Sequence, residues 1–420
     1  MSRPSEAPVS RPRRGRKHLL ALVGLPARGK TFTARKLAGY LAWLGYPTGV
    51  FNVGERRRAE LGPGQQHEFF DPANRDAAEL RRKLAEDVLD DALAWLHGEG
   101  RVAIYDATNT TRARRDAIRT RAAAEDRDLL FVEIVNREPD VIEANVRETK
   151  LSSPDYAGVD EATALRDFRA RIAHYESVYE TLNEDEGSWI RIVDRGRKVE
   201  IHEVWGWIPG RIVSFLTNLQ VTQRPIWLTR HGQSAWNVLG RIGGDSTLSP
   251  QGREFARKLA AFVRAHFGPD SPLDVWTSTL RRTVETALPL GIEPGQWKAL
   301  DEIHAGVCDG MTYAEIEAKL PAEFEARKRD KYGYRYPRGE SYQDVVQRVD
   351  RVIIELERYR TPVLVIAHRA VLRALAGYFR QVPRAEVPLL PMPLHTLIQL
   401  TPTAYGCEEE RVALEPRVPD

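Results

Sequence analysis

Two groups of residues in this 420-residue chain have the types and spacing needed to move a phosphoryl group. The first is Gly24-Leu25-Pro26-Ala27-Arg28-Gly29-Lys30-Thr31, which follows the apolar run His18 to Val23 and precedes a helix-like segment from Phe32 to Leu44. It fits G-x-x-x-x-G-K-[ST] between a strand and a helix, the context that pattern requires. The glycines let backbone N–H groups turn toward phosphate oxygens, Lys30 reaches the outer phosphates, and the Thr31 hydroxyl can hold Mg²⁺. A nucleoside triphosphate site is the expectation. The second group opens with Arg230-His231-Gly232 at the end of the apolar run Ile226 to Thr229. It continues with Arg281-Arg282 after Val275 to Ser278, and with His368 after Val363 to Ala367. A His-Gly turn alone is an ordinary surface feature; Asn237, Arg241 and the second histidine raise it above that. Such an inventory suits transfer through a phosphohistidine. One neutral imidazole attacks phosphorus, while Arg230, Arg282 and His368 offset charge on the equatorial oxygens. Glu302 is the candidate acid for the leaving alcohol.

These groups can act only if strands bring them together. Thr48 to Val53 reads as a strand that delivers Glu55-Arg56-Arg57-Arg58 into a loop, either as a second anion site or as a solvated basic turn. A helix from about Asp76 to His97 follows, then the buried-looking strand Arg101 to Tyr105, stopping at Asp106. An aspartate there can hold Mg²⁺ or orient a substrate. Thr108, Asn109, Arg112, Arg114 and Arg115 come next and suggest the floor of a polar pocket. The strand Leu129 to Val135 and helices from Pro139 to Thr149 and Glu161 to Leu182 continue the alternation, with Arg171 and Tyr175 on one helical face. Lys150 is a second phosphate-facing lysine or a helix-end lysine. Alternating strands and helices imply a mostly parallel sheet with ligands at the carboxyl ends of its strands.

Length calls for two domains, and the break at Gln220 to Pro225 separates residues 18–222 from 223–420. Residues 1–17 read as a disordered basic tail, because the following apolar run is part of the phosphate loop rather than of a signal peptide. A net charge of +3 argues against a whole-chain nucleic-acid footprint. No apolar stretch reaches the ~20 residues of a membrane helix. Two cysteines, Cys308 and Cys407, offer neither a disulfide framework nor metal-ligand spacing, which suits the cytosol.

In order along the chain, GLPARGKT, FNVGERRR, DATNTTRARR, KLSSPDY, RHGQSAWN, GRIGGD, GVCDGMTY, DKYGYRYPRGESY and PLHTLIQLTPTAYGC resemble the bifunctional 6-phosphofructo-2-kinase/fructose-2,6-bisphosphatases. The resemblance runs from about His18 to Gly406, and the second half is also similar to the wider histidine phosphatase superfamily. It implies an α/β fold of two domains: a P-loop NTPase-type parallel sheet with flanking helices, then a histidine-phosphatase-type α/β sandwich. It further implies ATP and Mg²⁺ at Gly24 to Thr31, with Asn145 beside them, Lys30 and Lys150 facing the transferred group, and Thr31 and Asp106 on the metal. Fructose 6-phosphate would be held by Arg57, Arg81, Thr108, Arg114, Arg171 and Tyr175. In the second half the resemblance makes His231 the nucleophile, Glu302 the acid, and Arg230, Asn237, Arg282 and His368 the clamp on the 2-phosphate of fructose 2,6-bisphosphate. Tyr313, Arg327, Lys331, Tyr342 and Arg373 would hold the 6-phosphate and sugar, with Arg369 alongside. A cytoplasmic enzyme of glycolytic regulation is implied, with no nucleic-acid or membrane partner. A homodimer is compatible with the family, though no residue pattern demands one.

The chain departs from the family pattern at Arg56, where a tyrosine is usual, and at Asn136, where a cysteine is usual. Gln233 replaces an acidic residue and Arg369 a glutamine. Two alternatives use the same chemistry: one half active alone, or a nucleic-acid end-repair kinase/phosphatase. The second lacks a stacking platform of interleaved aromatics.

Overall fold

The computed structural model describes residues 16–147, 153–219, 224–268, 272–403 and 406–414. The chain divides into two units, Met1–Thr217 and Asn218–Asp420. Among the described residues each unit is built on a six-stranded sheet.

In the first unit the strands are β1 (His18–Val23), β2 (Thr48–Asn52), β3 (Val102–Asp106), β4 (Asp128–Val135), β5 (Trp189–Val193) and β6 (Lys198–His202). Their order is β2-β3-β1-β4-β5-β6, parallel except for β6. Leu19 to Val23 and Val102 to Asp106 are buried throughout, as strands covered on both faces require. The covering helices are α1 (Lys30–Leu44), α2 (Val53–Leu61), α3 (Arg75–His97), α4 (Arg112–Ala124), α5 (Pro139–Asn145), α6 (Glu161–Glu176) and α7 (Trp207–Asn218). Two registers matter for function. Asn52 lies opposite Asp106, and β1 runs beside β3, so the phosphate loop opens next to both side chains.

Three expectations change here. The segment Glu55 to Arg58 is helical rather than a loop, because the Asn52 side chain caps α2 by accepting the Glu55 N–H at 2.8 Å. Helical rotation then buries Arg57 and sends Arg56 outward to Glu60 and Asp91. The helix predicted to reach Leu182 stops at Glu176, since the chain beyond it pairs across the unit, the Glu180 N–H donating to the Thr110 carbonyl at 2.9 Å. At the other end, Arg16 and Lys17, assigned to the tail, are tied down by Asp126, Asp128 and the Gly98 carbonyl.

Arg115 also differs from expectation. It sits in a fully buried two-pronged pair with Glu186 at 2.6 and 2.9 Å that bolts α4 to the segment before β5. Arg112 pairs at the surface with Asp185, so only Arg114 serves the expected pocket floor. Removing one partner of a buried pair strands the other charge, at a cost of about 3–5 kcal/mol. Arg115→Ala should therefore lower the urea midpoint of the first unit's unfolding transition; an unchanged midpoint would show that the bridge is dispensable.

The second unit contains β7 (Ile226–Arg230), β8 (Asp274–Thr277), β9 (Gly295–Gln296), β10 (Val363–Ala367), β11 (Thr396–Pro402) and β12 (Cys407–Ala413), in the order β12-β11-β7-β10-β8-β9. β7 to β10 are parallel; β11 runs antiparallel beside β7, and the edge strand β12 pairs antiparallel with β11. Helices α8 (Ala235–Val238), α9 (Pro250–Phe267), α10 (Arg281–Ala287), α11 (Tyr313–Lys319), α12 (Pro321–Arg329), α13 (Tyr342–Arg358) and α14 (Arg369–Phe379) complete it. Buried Val345, Val349, Val352 and Leu356 form the inward stripe of α13 at helical spacing. Arg230 pairs with Ala367 and Ile366 with Thr277, so the three residues that follow, His231, His368 and Ser278, emerge together at one end of the sheet.

Candidate active sites

In the first unit, Gly24, Ala27 and Gly29 have φ of 137°, 57° and 94°, which turns the loop back over the start of α1. A Cβ on Gly24 would meet the Ile134 carbonyl oxygen at 2.5 Å, so no other residue fits. Lys30 Nζ donates to the Leu25 carbonyl at 2.6 Å, within the loop it would serve. The Thr31 hydroxyl lies 2.7 Å from Asp106 Oδ2, and Asn52 Nδ2 donates to the same oxygen. Asn145 Nδ2 reaches the Ala27 carbonyl at 3.1 Å, and the Thr108 carbonyl accepts the Gly24 N–H at 2.9 Å. The Arg28 guanidinium spans the loop's own Pro26 carbonyl and Glu176, each at 3.3 Å, and so ties the loop to α6. Lys150 lies outside the described residues.

Beside this loop the expected arginines converge. Arg57 is buried and pairs with Asp155; Arg171 packs 3.6 Å from the ring centroid of Phe70. Arg81 donates to the Phe69 and Asp71 carbonyls, and Arg114 is fixed by Asn109 Oδ1 at 2.9 Å and the Tyr105 hydroxyl at 3.1 Å. Burial first, with Arg57 adding, pushes the Arg171 guanidinium down from its ordinary value; burial does the same to Arg81, with Arg114 adding. Tyr175 opposes both shifts, which places it among these cations. Among the described residues, Arg57 Nε and Nη1 and Arg171 Nε are buried without a hydrogen-bond acceptor. Packed guanidiniums with unused donors need an anion. Asp155, Phe70 and Asn52 were not assigned roles from sequence; the spacing Asn52-x-x-Glu55 was the capping signal available for the last.

The second unit gathers its groups more tightly. His231 Nδ1 donates to the Gly232 carbonyl at 2.7 Å, which leaves the lone pair on Nε2, where Arg282 Nε donates at 3.1 Å. Burial, then Arg282 and Arg230, hold its pKa well below the ordinary imidazole value. The imidazole is therefore neutral and oriented, as a nucleophile must be. A Cβ on Gly232 would strike the Gly252 carbonyl oxygen at 2.4 Å, so the turn after the histidine must be glycine. His368 sits 5.1 Å from His231 between ring centroids; Ser278 Oγ bonds its Nε2 at 2.8 Å. Its Nδ1 is buried with no partner among the described residues, a place that a phosphate oxygen would satisfy. Arg230 is anchored on the Met392 carbonyl at 3.0 Å and Arg282 on the Gly244 carbonyl at 2.6 Å. Asn237 lies in the turn of α8, its oxygen bonded to Ser234, so its NH₂ alone can serve an anion. Arg241, in the loop after α8, faces the Gly310 carbonyl and Glu315.

Glu302 Oε1 accepts the Ala370 N–H at 3.2 Å, at the start of the helix that follows His368. Arg348, not foreseen, braces this segment by donating to the carbonyls of Ala299, Asp301 and Glu302. Nearby, Arg327 donates to the Tyr336 and Tyr313 hydroxyls at 2.8 and 3.0 Å, and Arg373 to the Leu390 carbonyl at 2.6 Å and the Tyr342 hydroxyl at 3.3 Å. Burial, then Arg373, Arg327 and Arg369, lower Lys331 to about 8. Four convergent cations mark a second anion pocket beside the histidines. Since kcat/KM reports the free enzyme, its value for a doubly phosphorylated substrate should fall as pH rises past about 8 and Lys331 loses its proton. One charge-assisted contact limits the loss to roughly tenfold. Lys331→Met should start low and lack this alkaline limb; a limb retained in the variant would refute the assignment.

Comparison with known proteins agrees with both halves. The 6-phosphofructo-2-kinase family matches residues 6–223, and the histidine phosphatase superfamily (branch 1) matches residues 226–415. A 6-phosphofructo-2-kinase/fructose-2,6-bisphosphatase of Arabidopsis thaliana is 48% identical over 409 residues, covering 96% of this chain and 55% of its own length. One from Gallus gallus is 48% identical over 400 residues, covering 94% and 84%. Human 6-phosphofructo-2-kinase/fructose-2,6-bisphosphatase 4 is 48% identical over 400 residues, covering 94% and 85%. No helix among the described residues is long and apolar enough to cross a membrane.

Proposed function

Because the chain belongs to the 6-phosphofructo-2-kinase/fructose-2,6-bisphosphatase family, we propose that its first unit phosphorylates fructose 6-phosphate on the 2-hydroxyl with ATP and its second hydrolyses the product. The observation that carries this reading is that one chain holds both apparatuses: a phosphate loop beside unsatisfied arginines, and a neutral histidine between two arginines.

In the kinase half the loop amides and Lys30 hold the triphosphate, Lys30 exchanging the Leu25 carbonyl for a phosphate oxygen. Arg57, Arg81, Arg114 and Arg171 seat the sugar phosphate, with Tyr175 among them and Thr108 bracing the loop through its carbonyl. The Thr31 hydroxyl and Asp106 carboxylate, 2.7 Å apart, are the hard oxygen ligands Mg²⁺ takes. When bound, that ion neutralises charge on the phosphates. Asp106 would also orient the acceptor hydroxyl. Catalysis is then positioning and charge stabilisation. Asn145 steadies the loop, and Lys150 is assigned to the transferred phosphoryl group by family resemblance.

In the phosphatase half His231 Nε2 attacks the 2-phosphorus. Arg282 shifts from that nitrogen to an equatorial oxygen, joined by Arg230, the Asn237 NH₂ and His368 Nδ1. Glu302 gives its proton to the departing sugar oxygen, then takes one from the water that cleaves the phosphohistidine. Lys331, Arg327, Arg369, Arg373, Tyr313 and Tyr342 hold the 6-phosphate and sugar. The enzyme would act in the cytosol, where ATP and hexose phosphates meet, and set the level of a glycolytic regulator. Measuring both rates on one purified preparation tests this: synthesis from ATP, Mg²⁺ and fructose 6-phosphate, and hydrolysis of fructose 2,6-bisphosphate. Absence of either rate would reduce the enzyme to one active half.

A further inference from the structure

A group of side chains outside both phosphoryl sites joins the short helical turn His67–Phe70 to α6. His67 Nδ1 and His174 Nε2 lie 3.4 Å apart, with ring centroids 5.6 Å apart, the separation of two imidazoles meeting nitrogen to nitrogen. Each outer nitrogen faces a carboxylate: His67 Nε2 is 3.4 Å from Glu68, and His174 Nδ1 is 3.8 Å from Asp71. A carboxylate bonded beyond an imidazole draws the N–H to its side and leaves the lone pair on the other nitrogen, the arrangement found behind metal-binding histidines; Glu68 is near enough to His67 for this, whereas Asp71 lies beyond hydrogen-bond distance of His174. The two facing nitrogens can share one proton as a hydrogen bond, and a cation between them would replace that proton with a bond to each. A carboxylate oxygen of Asp167 lies within 4.8 Å of ligand atoms of His67 and Glu68, and the same residue accepts the His67 backbone N–H at 2.8 Å.

We propose that His67 and His174, with Asp167 nearby, bind one divalent transition-metal ion of the Zn²⁺ class. At metal–nitrogen distances of about 2.0–2.1 Å, a 3.4 Å nitrogen separation subtends roughly 110° at the ion, close to the tetrahedral angle. Two imidazoles select Zn²⁺, Co²⁺ or Ni²⁺ over Mg²⁺, which prefers oxygen. The side chains of His67 and Glu68 are 36% and 64% exposed, so an ion can enter and water can fill a remaining position.

The place gives the ion a consequence. Asp167, Arg171 and His174 share one face of α6 by their spacing. Opposite them, residues 69–71 supply the Phe70 ring against Arg171 and the two carbonyls that hold Arg81. An ion bridging His67 to His174 would fix both walls of the arginine pocket before the acceptor arrives. Preorganisation of this kind lowers the cost of binding.

The test uses the full chain, stripped of metal and titrated with Co²⁺. One equivalent should give the visible absorption of tetrahedral Co²⁺, and His67→Ala and His174→Ala should each weaken binding by at least about tenfold. Zn²⁺ with Mg²⁺ in excess should lower the acceptor KM of the kinase half in the parent, but not in either variant. Neither histidine belongs to the phosphoryl-transfer apparatus, so equal kinase rates without added ion check that the variants fold. A parent that binds no stoichiometric Co²⁺, or variants that bind it as tightly, would overturn the site. Because Co²⁺ absorption needs no turnover, this result is independent of what the kinase half phosphorylates.

Discussion

Replacing His231 with alanine should reduce hydrolysis of fructose 2,6-bisphosphate by about 10⁴-fold or more while leaving synthesis at the parental rate. The size of the loss follows from the role: without Nε2 no phosphoenzyme forms, and residual rate comes only from charge stabilisation by the remaining groups. Those groups keep their anchors in the variant, because Arg230 is held by the Met392 carbonyl and Arg282 by the Gly244 carbonyl rather than by the histidine alone. Substrate should therefore still bind, and the damage should fall on kcat more than on KM. Enzyme incubated with substrate labelled at the 2-phosphate and quenched in alkaline detergent, where a phosphohistidine survives, should carry label in the parent and none in the variant. Hydrolysis unchanged by the substitution would remove His231 as the nucleophile.

Lys30→Met should act in the opposite direction, lowering synthesis by about 10³-fold and sparing hydrolysis. Stabilisation of a transferring phosphoryl group by one fixed cation is worth this order of effect. Methionine keeps much of the length of the side chain, so the loop need not refold around a cavity, although the bond from Lys30 Nζ to the Leu25 carbonyl is lost. The two variants together form a crossed test in which each half serves as the folding control for the other. Synthesis that survives Lys30→Met would deny the loop its assigned part in phosphoryl transfer.

What could be read from sequence, and what could not, divides on a physical line. Gly24 to Thr31 is legible because its chemistry is local: glycines, lysine and threonine act through their own backbone and one adjacent helix. Arg230-His231 and His368 are legible because each ends an apolar run, and parallel strands deliver their carboxyl ends to one edge. The bracing side chains were not legible. Arg115 and Arg114 are neighbours in sequence, yet one is locked into Glu186 and the other faces the pocket, a distinction made by helix rotation and by a partner far along the chain. Arg348 supports Glu302 through three carbonyls, and carbonyls leave no mark in a sequence. Arg56 and Arg57 could have been told apart had the Asn52 cap been recognised, since the cap sets which arginine turns inward.

Asn52 does two things with one carboxamide. Its oxygen starts α2, which carries the buried Arg57, and its NH₂ group touches Asp106 at the end of β3. The planar amide thus serves as a link of fixed length between the start of α2 and the aspartate that ends β3. Neither element can drift without breaking one of its two bonds, so in this half of the molecule the spacing between Arg57 and Asp106 hangs on the geometry of a single side chain.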